Sequence, residues 1–453
     1  MHVASVASLA LAALVSARDS TNRYRQKPFN DVSLPFSPSY LRISEDAVFG
    51  NQPTTPLGSN HTATQHSCPH NSFLKAGVWP WTSPPLCMFV ASDDRAEPVC
   101  AFVSRTFADG RGIALLTTPS RAAEISSFDA FTHLKNPPGT NVYSNPPFEE
   151  RELPGRGKGL IANRALHSGD RLFASTPILI IDEAVEKLEK KDRLSLSYHA
   201  VRRLPAATEK RFWELAAHTG DDPLDDRVDT NSFGIEIAGA ECWVILPEIA
   251  RLNHDCRPNG AYFFDRATLT QHVHVAAGAA VAPGAELTIS YVDTSLPRRR
   301  RQAKLRRSWG FPCGCSTCSL PGPLARASDG RLARIAELTA ALGDWRAGSA
   351  AGVGMALALV ELVELERLRA GMPDAYVRAA LQYSAQGDRW GAVRWASKAV
   401  QAGLIENGFS DGSLAWARLL AERPEDHWSW RARVDGGGLD YVEDEEEDEE
   451  DEE

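Results

Sequence analysis

No stretch of this 453-residue chain is both long and apolar enough to predict a membrane span. The best candidate, Val3–Ala17, falls short of the roughly 20 residues that a helix needs to cross a bilayer. Its composition and its final Val-Ser-Ala resemble the apolar part of a secretory signal, although no Lys or Arg precedes it. Two interpretations of residues 1–17 stay open. They are a signal leading to the secretory pathway, or an apolar N-terminal segment of a nuclear or cytoplasmic protein, and we favour the second.

Basic residues form only one dense run, Arg298–Arg301 followed by Arg306 and Arg307. The sequence lacks a second basic patch and has no aromatic residues interleaved with the first. Nucleic-acid binding is therefore not predicted. We interpret the run as a solvated helix face, with contact to an acidic substrate as the alternative.

Acidic residues dominate the C-terminus, where Glu443–Glu453 are eleven consecutive acids. They account for the net charge of −10, and the rest of the chain is close to neutral. Because such a block repels itself, residues 435–453 are predicted to be a disordered tail. The tail could dock a basic partner such as a histone, or it could serve only to keep the protein in solution.

Cysteines are few, eight in all, and most of them fall into two groups. Cys68, Cys87 and Cys100 lie in the N-terminal third, where one disulfide with one residue left over fits a secretory route and free thiols fit a cytosolic one. The second group lies near the polar motifs described below and comprises Cys256, Cys313, Cys315 and Cys318.

Changes in periodicity divide the remaining chain and predict an α+β fold. Short apolar runs such as Ile178–Ile181 and Cys242–Leu246 indicate strands, whereas the residues between them show helical spacing. The region after Pro321 is rich in Ala and Leu and contains one tetratricopeptide-like hairpin. The predicted divisions are an N-terminal extension with a small strand-rich element (18–145), a β-rich domain (146–292) with a helical insertion (183–235), a cysteine-bearing segment (293–320) and a helical domain (321–434).

Two motifs have polar or flexible residues in positions suited to ligand binding. Gly155–Leu160 reads GRGKGL, and its glycines permit positive φ and close backbone approach to a ligand. Alone it is a weak signal, and no long helix follows as a dinucleotide fingerprint requires. Arg251–Asn259 reads RLNHDCRPN, a set of polar groups that is costly to bury unless each is hydrogen-bonded. A polar surface loop is the alternative.

Two further motifs follow. Glu286–Tyr291 reads ELTISY, an alternating strand that ends in a tyrosine and would by itself predict a half-buried sheet. Cys313–Cys318 reads CGCSTC, and its three thiols can supply three ligands of a tetrahedral zinc site but leave the fourth position vacant.

Together and in this order, the motifs resemble the SET-domain family of lysine methyltransferases over roughly 170 residues. NHDCRPN is similar to the family's Asn-His-x-Cys-x-Pro-Asn motif, ELTISY to its catalytic strand and Trp309–Cys318 to its post-SET segment. The resemblance implies a β-fold in which the two central motifs are threaded together like a knot. The order of segments resembles fungal SET-domain proteins. It is related to the branch that combines SET with a MYND finger, but residues 183–240 lack a cluster of cysteines for that finger.

The resemblance implies methyl transfer from S-adenosylmethionine to a lysine of a histone or another protein, with Tyr291 as the catalytic residue. Tyr262 and Phe263 are further candidates for the wall of the lysine channel. The residues implied to contact the cofactor are Gly157, Lys158, Gly159, Asn253, His254, Tyr291 and Phe311.

The resemblance also fills the vacant zinc position, because Cys256 of the central motif would join Cys313, Cys315 and Cys318 in a closed structural site. A catalytically idle scaffold that binds proteins through its helical domain is the rival interpretation. The presence of Asn253, His254 and Tyr291 argues against it, because an idle domain has no chemical reason to keep all three. No oligomeric state is predicted.

Overall fold

A computed structural model describes residues 80–90, 96–132, 138–408 and 412–434. Three predictions lie outside these residues: the interpretation of residues 1–17, the pairing of Cys68 and the disordered tail at 435–453. The described part is a β-rich region followed by a helical one, which confirms the predicted α+β class.

The strands of the described part are short and mostly buried. In chain order they are β1 (Leu86–Met88), β2 (Val99–Ser104), β3 (Ile113–Thr117), β4 (Phe148–Leu153), β5 (Gly157–Ala162), β6 (Leu166–His167), β7 (Arg171–Ser175), β8 (Leu179–Asp182), β9 (Ser232–Ile237), β10 (Ala240–Ile245), β11 (Asn253–His254), β12 (Gly260–Asp265), β13 (Thr270–Val275), β14 (Ala280–Val281) and β15 (Glu286–Ile289).

Three short α-helices lie between residues 107 and 132, and the others lie in the insertion and after residue 297. They are α1 (Phe107–Gly110), α2 (Pro119–Ser126), α3 (Asp129–Thr132), α4 (Lys190–Arg203), α5 (Ala206–Trp213), α6 (Pro223–Asn231), α7 (Arg298–Trp309), α8 (Gly322–Leu342), α9 (Val353–Leu365), α10 (Met372–Ala385), α11 (Arg389–Glu406) and α12 (Gly412–Glu422). Within the described residues, no helix is long and apolar enough to cross a membrane.

The largest sheet unites strands from distant parts of the chain, in the order β1-β2-β3-β8-β10-β9. Its central strands β2, β3 and β8 are buried at every position, as expected when both faces of a sheet are covered. The insertion helices α4–α6 cover one face, and the core that surrounds the polar motifs covers the other. The strand-rich N-terminal element therefore does not form a sheet of its own: β3 pairs in parallel with β8.

The N-terminal strands also settle one cysteine pairing. Cys87 of β1 and Cys100 of β2 are direct cross-strand partners in an antiparallel pair, and they form a disulfide. Of the two alternatives from the sequence, the structure has the one with a disulfide.

A smaller sheet brings the two central motifs side by side, in the order β11-β15-β5-β4. β11 pairs in parallel with β15, so that Asn253 lies opposite Thr288 and His254 opposite Ile289. The chain then passes so close to β15 that a Cβ atom on Gly260 would lie 2.9 Å from the carbonyl oxygen of Thr288. Only glycine fits there without a shift of the backbone.

The helical region is held to the β-rich region by a backbone clasp around Ala277. The carboxylate of Glu406, at the end of α11, accepts a hydrogen bond of 2.7 Å from the Ala277 N–H. Arg369, in the turn before α10, donates one of 2.8 Å to the Ala277 carbonyl. Burial raises the pKa of Glu406 to about 7, although the Ala277 N–H and the charge of Arg369 act in the opposite direction.

This clasp predicts a pH-dependent stability. The folded carboxyl of Glu406 keeps its proton up to about pH 7, whereas in the unfolded chain it loses the proton near the ordinary value of 4.5. Its contribution is therefore present below pH 4.5 and is lost as the pH rises to about 7. Relative to Glu406→Gln, we expect the wild type to lose on the order of 2 kcal/mol of unfolding free energy over this window. Urea denaturation at pH 5 and pH 8 measures the difference, and an equal difference at both values would contradict the assignment.

Candidate active site

Four cysteine sulfurs meet beside the NHDCRPN motif. The Sγ atoms of Cys256, Cys313, Cys315 and Cys318 all lie within 4.8 Å of one another, and all four side chains are buried. Cys256 Sγ is 3.5 Å from Cys318 Sγ and 4.0 Å from Cys313 Sγ. Sulfurs bound tetrahedrally to Zn²⁺ at about 2.3 Å would be about 3.8 Å apart. The donor set and its spacing therefore fit a closed, structural zinc site.

The electrostatics of the cluster also favour a cation. Hydrogen bonds from the other three thiols lower the pKa of Cys315. The pKa of Cys256 is raised because its thiol is hydrogen-bonded to the neighbouring sulfurs as a proton donor. The cluster thus favours thiolate character at Cys315, and Zn²⁺ would allow all four cysteines to ionise.

Arg301 lies beside this cluster, which the sequence did not indicate. It belongs to the basic run that we interpreted as a solvated face, and that is wrong for this residue: its exposure is 1%. Burial alone would lower the pKa of Arg301, but its interactions with the sulfurs of Cys256 and Cys318 together outweigh burial and raise the pKa. Arg301 shares a helix face with the buried Leu305 and Trp309, a spacing that is compatible with burial but does not by itself predict it.

His254 connects the cysteine cluster to Tyr291, which lies just after β15. Its Nδ1 accepts a hydrogen bond of 3.0 Å from the Tyr291 N–H, so the ring proton must be on Nε2, 3.4 Å from Cys256 Sγ. Burial lowers the pKa of His254 to about 3, which keeps the ring neutral in this role. Both ring nitrogens are engaged within the protein, and only the backbone of His254 remains for the cofactor contact that the resemblance implies.

Tyr291 is held with a defined hydroxyl orientation. Its hydroxyl donates a hydrogen bond of 2.7 Å to the carbonyl of Leu252, directly before the NHDCRPN motif. The hydroxyl proton therefore points at the Leu252 carbonyl, and the lone pairs of the hydroxyl oxygen point away from that carbonyl. Burial raises the pKa of the Tyr291 phenol above its ordinary value, so the group is neutral at physiological pH.

Aromatic rings surround Tyr291. The rings of His254 and Trp309 lie with their centroids 5.4 Å and 5.3 Å from that of Tyr291. Phe311 follows in the post-SET segment. The centroid of its ring lies 6.3 Å from that of His254, so the structure brings Phe311 to this site. Trp309 was missed as a wall residue, although the same WGF sequence holds both aromatics.

The two further channel candidates diverge because neighbouring residues of a strand face opposite ways. Tyr262 packs edge-on against Phe233 at 5.8 Å, in the core that holds Tyr291. Phe263 instead stacks on His272 at 4.9 Å and lies against Gly408 of the helical region. Phe263 thus lies on the opposite side of the strand from Tyr262 and from the core that holds Tyr291.

The glycine motif and Asn253 lie next to each other at the open side of the site. Asn253 Nδ2 donates to the Lys158 carbonyl at 3.2 Å and to Glu286 Oε1 at 2.9 Å. A Cβ on Gly159 would come within 2.8 Å of that amide nitrogen. Gly157 has a φ of +64°, and a Cβ there would meet nothing within 4 Å, so the backbone borders open space. A ligand can lie against this backbone.

The Lys158 side chain is directed to β4, where Nζ lies 2.8 Å from a carboxylate oxygen of Glu150. Both side chains are exposed. The Lys158 backbone thus lies between the two glycines, while its ammonium group is paired with Glu150. Its predicted contact with the cofactor stays a prediction.

The fold and this constellation identify the central part of the chain. Residues 157–292 match the family described as SET domain, so this part of the chain contains a SET domain.

Named relatives match parts of this chain. Histone-lysine N-methyltransferase set5 of Schizosaccharomyces pombe is 26% identical over 187 residues, which are 41% of this chain and 53% of that protein. N-lysine methyltransferase SMYD2 of Mus musculus is 30% identical over 133 residues, 29% of each protein. The chain thus spans about half the length of the first relative and less of the second. A solved structure titled as the SET domain of LSMT bound to lysine and AdoHcy has 13% identity, a TM-score of 0.23 and coverage of 65% and 92% of the two chains.

Proposed function

We propose that this protein is an S-adenosylmethionine-dependent protein-lysine N-methyltransferase. The observation that carries the proposal is the Tyr291 hydroxyl, whose proton is bound to the Leu252 carbonyl in an aromatic enclosure beside the NHDCRPN motif. Such a hydroxyl accepts a hydrogen bond from a neutral lysine amine and fixes its direction. Alignment of this kind supplies much of the acceleration of a direct displacement.

The aromatic enclosure prepares the substrate amine. A lysine that enters an apolar channel loses hydration, which lowers its pKa and favours the neutral, nucleophilic form. The faces of Trp309 and Tyr291 can also hold the cationic methylammonium product. Neither step requires a metal or a covalent enzyme intermediate.

The cofactor would lie against the backbone at Gly157, which borders open space, with the amide of Asn253 beside it, and a contact with the buried Gly159 stays a prediction. When bound, S-adenosylmethionine supplies the electrophilic methyl group. Zn²⁺ at the four cysteines would have a structural role: it would hold the post-SET segment, with Trp309 and Phe311, over the site.

The pH dependence follows from the direction of the Tyr291 pKa. Burial raises the pKa of Tyr291 above its ordinary value of 10, so the phenol stays neutral below pH 10. We expect the initial rate at saturating cofactor to rise between pH 7 and pH 10, as the lysine substrate loses its proton, with no falling limb from Tyr291. A downturn in this range in a protein that remains folded would contradict the assignment.

Substrate and location are proposed together. A lysine in a histone or another protein is the proposed acceptor. The cell nucleus or cytoplasm is the proposed location, against the secretory route that the Cys87–Cys100 disulfide by itself fits. The name of the set5 relative, a histone-lysine methyltransferase, supports the histone as the first protein to test. The acidic residues Glu443–Glu453 would attract a basic substrate, although their charge alone does not select one.

Transfer of labelled methyl groups tests the function. The purified wild type, incubated with methyl-labelled S-adenosylmethionine and cell extract, should label at least one protein, and Tyr291→Phe should not. Imaging of a C-terminally tagged chain tests the location, and a lumenal or extracellular signal would exclude the nuclear and cytoplasmic assignment.

A further inference from the structure

The side chain of Arg257 leaves the NHDCRPN motif and enters the helical region. Its Nη2 lies 2.8 Å from Glu366 Oε2, and the two side chains are only 2% and 4% exposed. Nη1 donates to the carbonyls of Cys256, at 2.7 Å, and Thr294, at 3.1 Å. Nε donates to the backbone carbonyl of Glu366. One guanidinium thus joins the motif, the segment that follows Tyr291 and the helical region.

The end of α9 directs Glu366 at this guanidinium. Arg367 has a positive φ of 54°, and the Leu368 N–H donates to the Val363 carbonyl at 3.0 Å. This is the Schellman ending of a helix, with an arginine where glycine is usual. The tight turn presents both the carbonyl and the carboxylate of Glu366 to Arg257.

Glu366 is itself fixed by the first helix of the helical region. Ser328 of α8 donates to Oε2 at 2.8 Å, and Arg331 of the same helix lies 2.6 Å from Oε1. Both carboxylate oxygens are therefore occupied, and the carboxylate has little freedom to turn. A displacement of α8 or of the end of α9 would move Arg257 with it.

Stability alone is a poor explanation of this pair. The removal of two charges from water costs about as much as their attraction returns, and an apolar contact would join two regions equally well. What a guanidinium fork adds is direction, because its donors lie in one plane at fixed angles. In this protein the groups that it orients are the carbonyls of Cys256, in the NHDCRPN motif, and Thr294, in the segment that follows Tyr291.

We infer that Glu366 is a positioning residue for methyl transfer, acting through Arg257 to hold the NHDCRPN loop against the segment that follows Tyr291. The inference rests on the proposed function. It makes the helical region a part of the active-site scaffold.

Glu366→Gln in the full chain tests the inference. The amide keeps the shape but leaves Arg257 buried without a counter-charge. We expect kcat to fall at least about tenfold and S-adenosylhomocysteine to bind more weakly, with zinc content unchanged. Glu406→Gln is the matched control: it alters the other buried glutamate between the two regions, which contacts Ala277 and not the motif. It should leave kcat and the Kd for S-adenosylhomocysteine at wild-type values.

The double variant Arg257→Met with Glu366→Leu separates positioning from stability. It removes both fully buried charges and leaves only Arg331, whose side chain is 33% exposed, without its partner, so its thermal midpoint should return toward that of the wild type while kcat stays low. Recovery of kcat together with the midpoint, or wild-type kcat and Kd in Glu366→Gln, would overturn the inference and leave the proposed function intact. A wild type that binds no S-adenosylhomocysteine would overturn both.

Discussion

Tyr291→Phe is expected to reduce kcat for methyl transfer by roughly 100-fold or more. The variant keeps the ring that packs between His254 and Trp309 and loses only the oxygen. Without that oxygen the incoming amine has no fixed acceptor, and the Leu252 carbonyl loses its donor. Single-turnover rates with purified enzyme and substrate measure the chemical step without a contribution from product release.

The same variant separates chemistry from binding. The Tyr291 hydroxyl is bonded to the Leu252 carbonyl, whereas the cofactor is proposed to lie against the backbone at Gly157, so the Kd for S-adenosylhomocysteine should stay within about threefold of the wild type. Tyr198→Phe is a matched control, because its hydroxyl bonds to Asp222 in the helical insertion. It should retain wild-type kcat. A Tyr291→Phe variant with wild-type kcat would remove the tyrosine from the catalytic step.

Cys256→Ser is expected to lose zinc and activity together. A serine oxygen at this position is a weaker ligand for Zn²⁺ than a thiolate, and the other three cysteines belong to the post-SET segment. That segment, which carries Trp309 and Phe311, would then be released from the motif. We expect zinc content to fall from about one ion per chain to near zero and kcat to fall roughly 100-fold.

The control for this variant is another buried cysteine. Cys242 lies in β10 as a free thiol, outside the four-cysteine cluster, and burial raises its pKa. Cys242→Ser should retain both zinc and activity. Elemental analysis of the folded variants, with methyl transfer measured on the same samples, gives both readouts. Zinc retained in Cys256→Ser would refute the coupling between the motif and the metal.

Much of the site was accessible from the sequence because its residues lie in short, ordered motifs. The resemblance placed Cys256 with the three post-SET cysteines, and the structure brings the four sulfurs within 4.8 Å. It also placed NHDCRPN beside ELTISY, as the pairing of β11 with β15 shows. The roles of these residues in catalysis and in cofactor binding remain predictions.

Other features depend on contacts across long stretches of chain, which local patterns do not encode. The strands β1–β3 have ordinary apolar sequences, and nothing in them indicates that β3 pairs with β8 more than 60 residues away. Arg301 appeared as one charge among several, and only the packing of α7 shows it buried. Glu366 ends an unremarkable helix, and its position opposite Arg257 follows from the arrangement of two regions.

Identification of the methylated group tests the central claim most directly. Purified wild type should be incubated with methyl-labelled S-adenosylmethionine and histones or cell extract, and the labelled protein analysed by tandem mass spectrometry. The proposed function predicts label on the ε-nitrogen of a lysine, and none when Tyr291→Phe replaces the wild type. Label on another type of residue, or no label from a folded wild type that binds both zinc and S-adenosylhomocysteine, would contradict it. The second result would point to the idle scaffold.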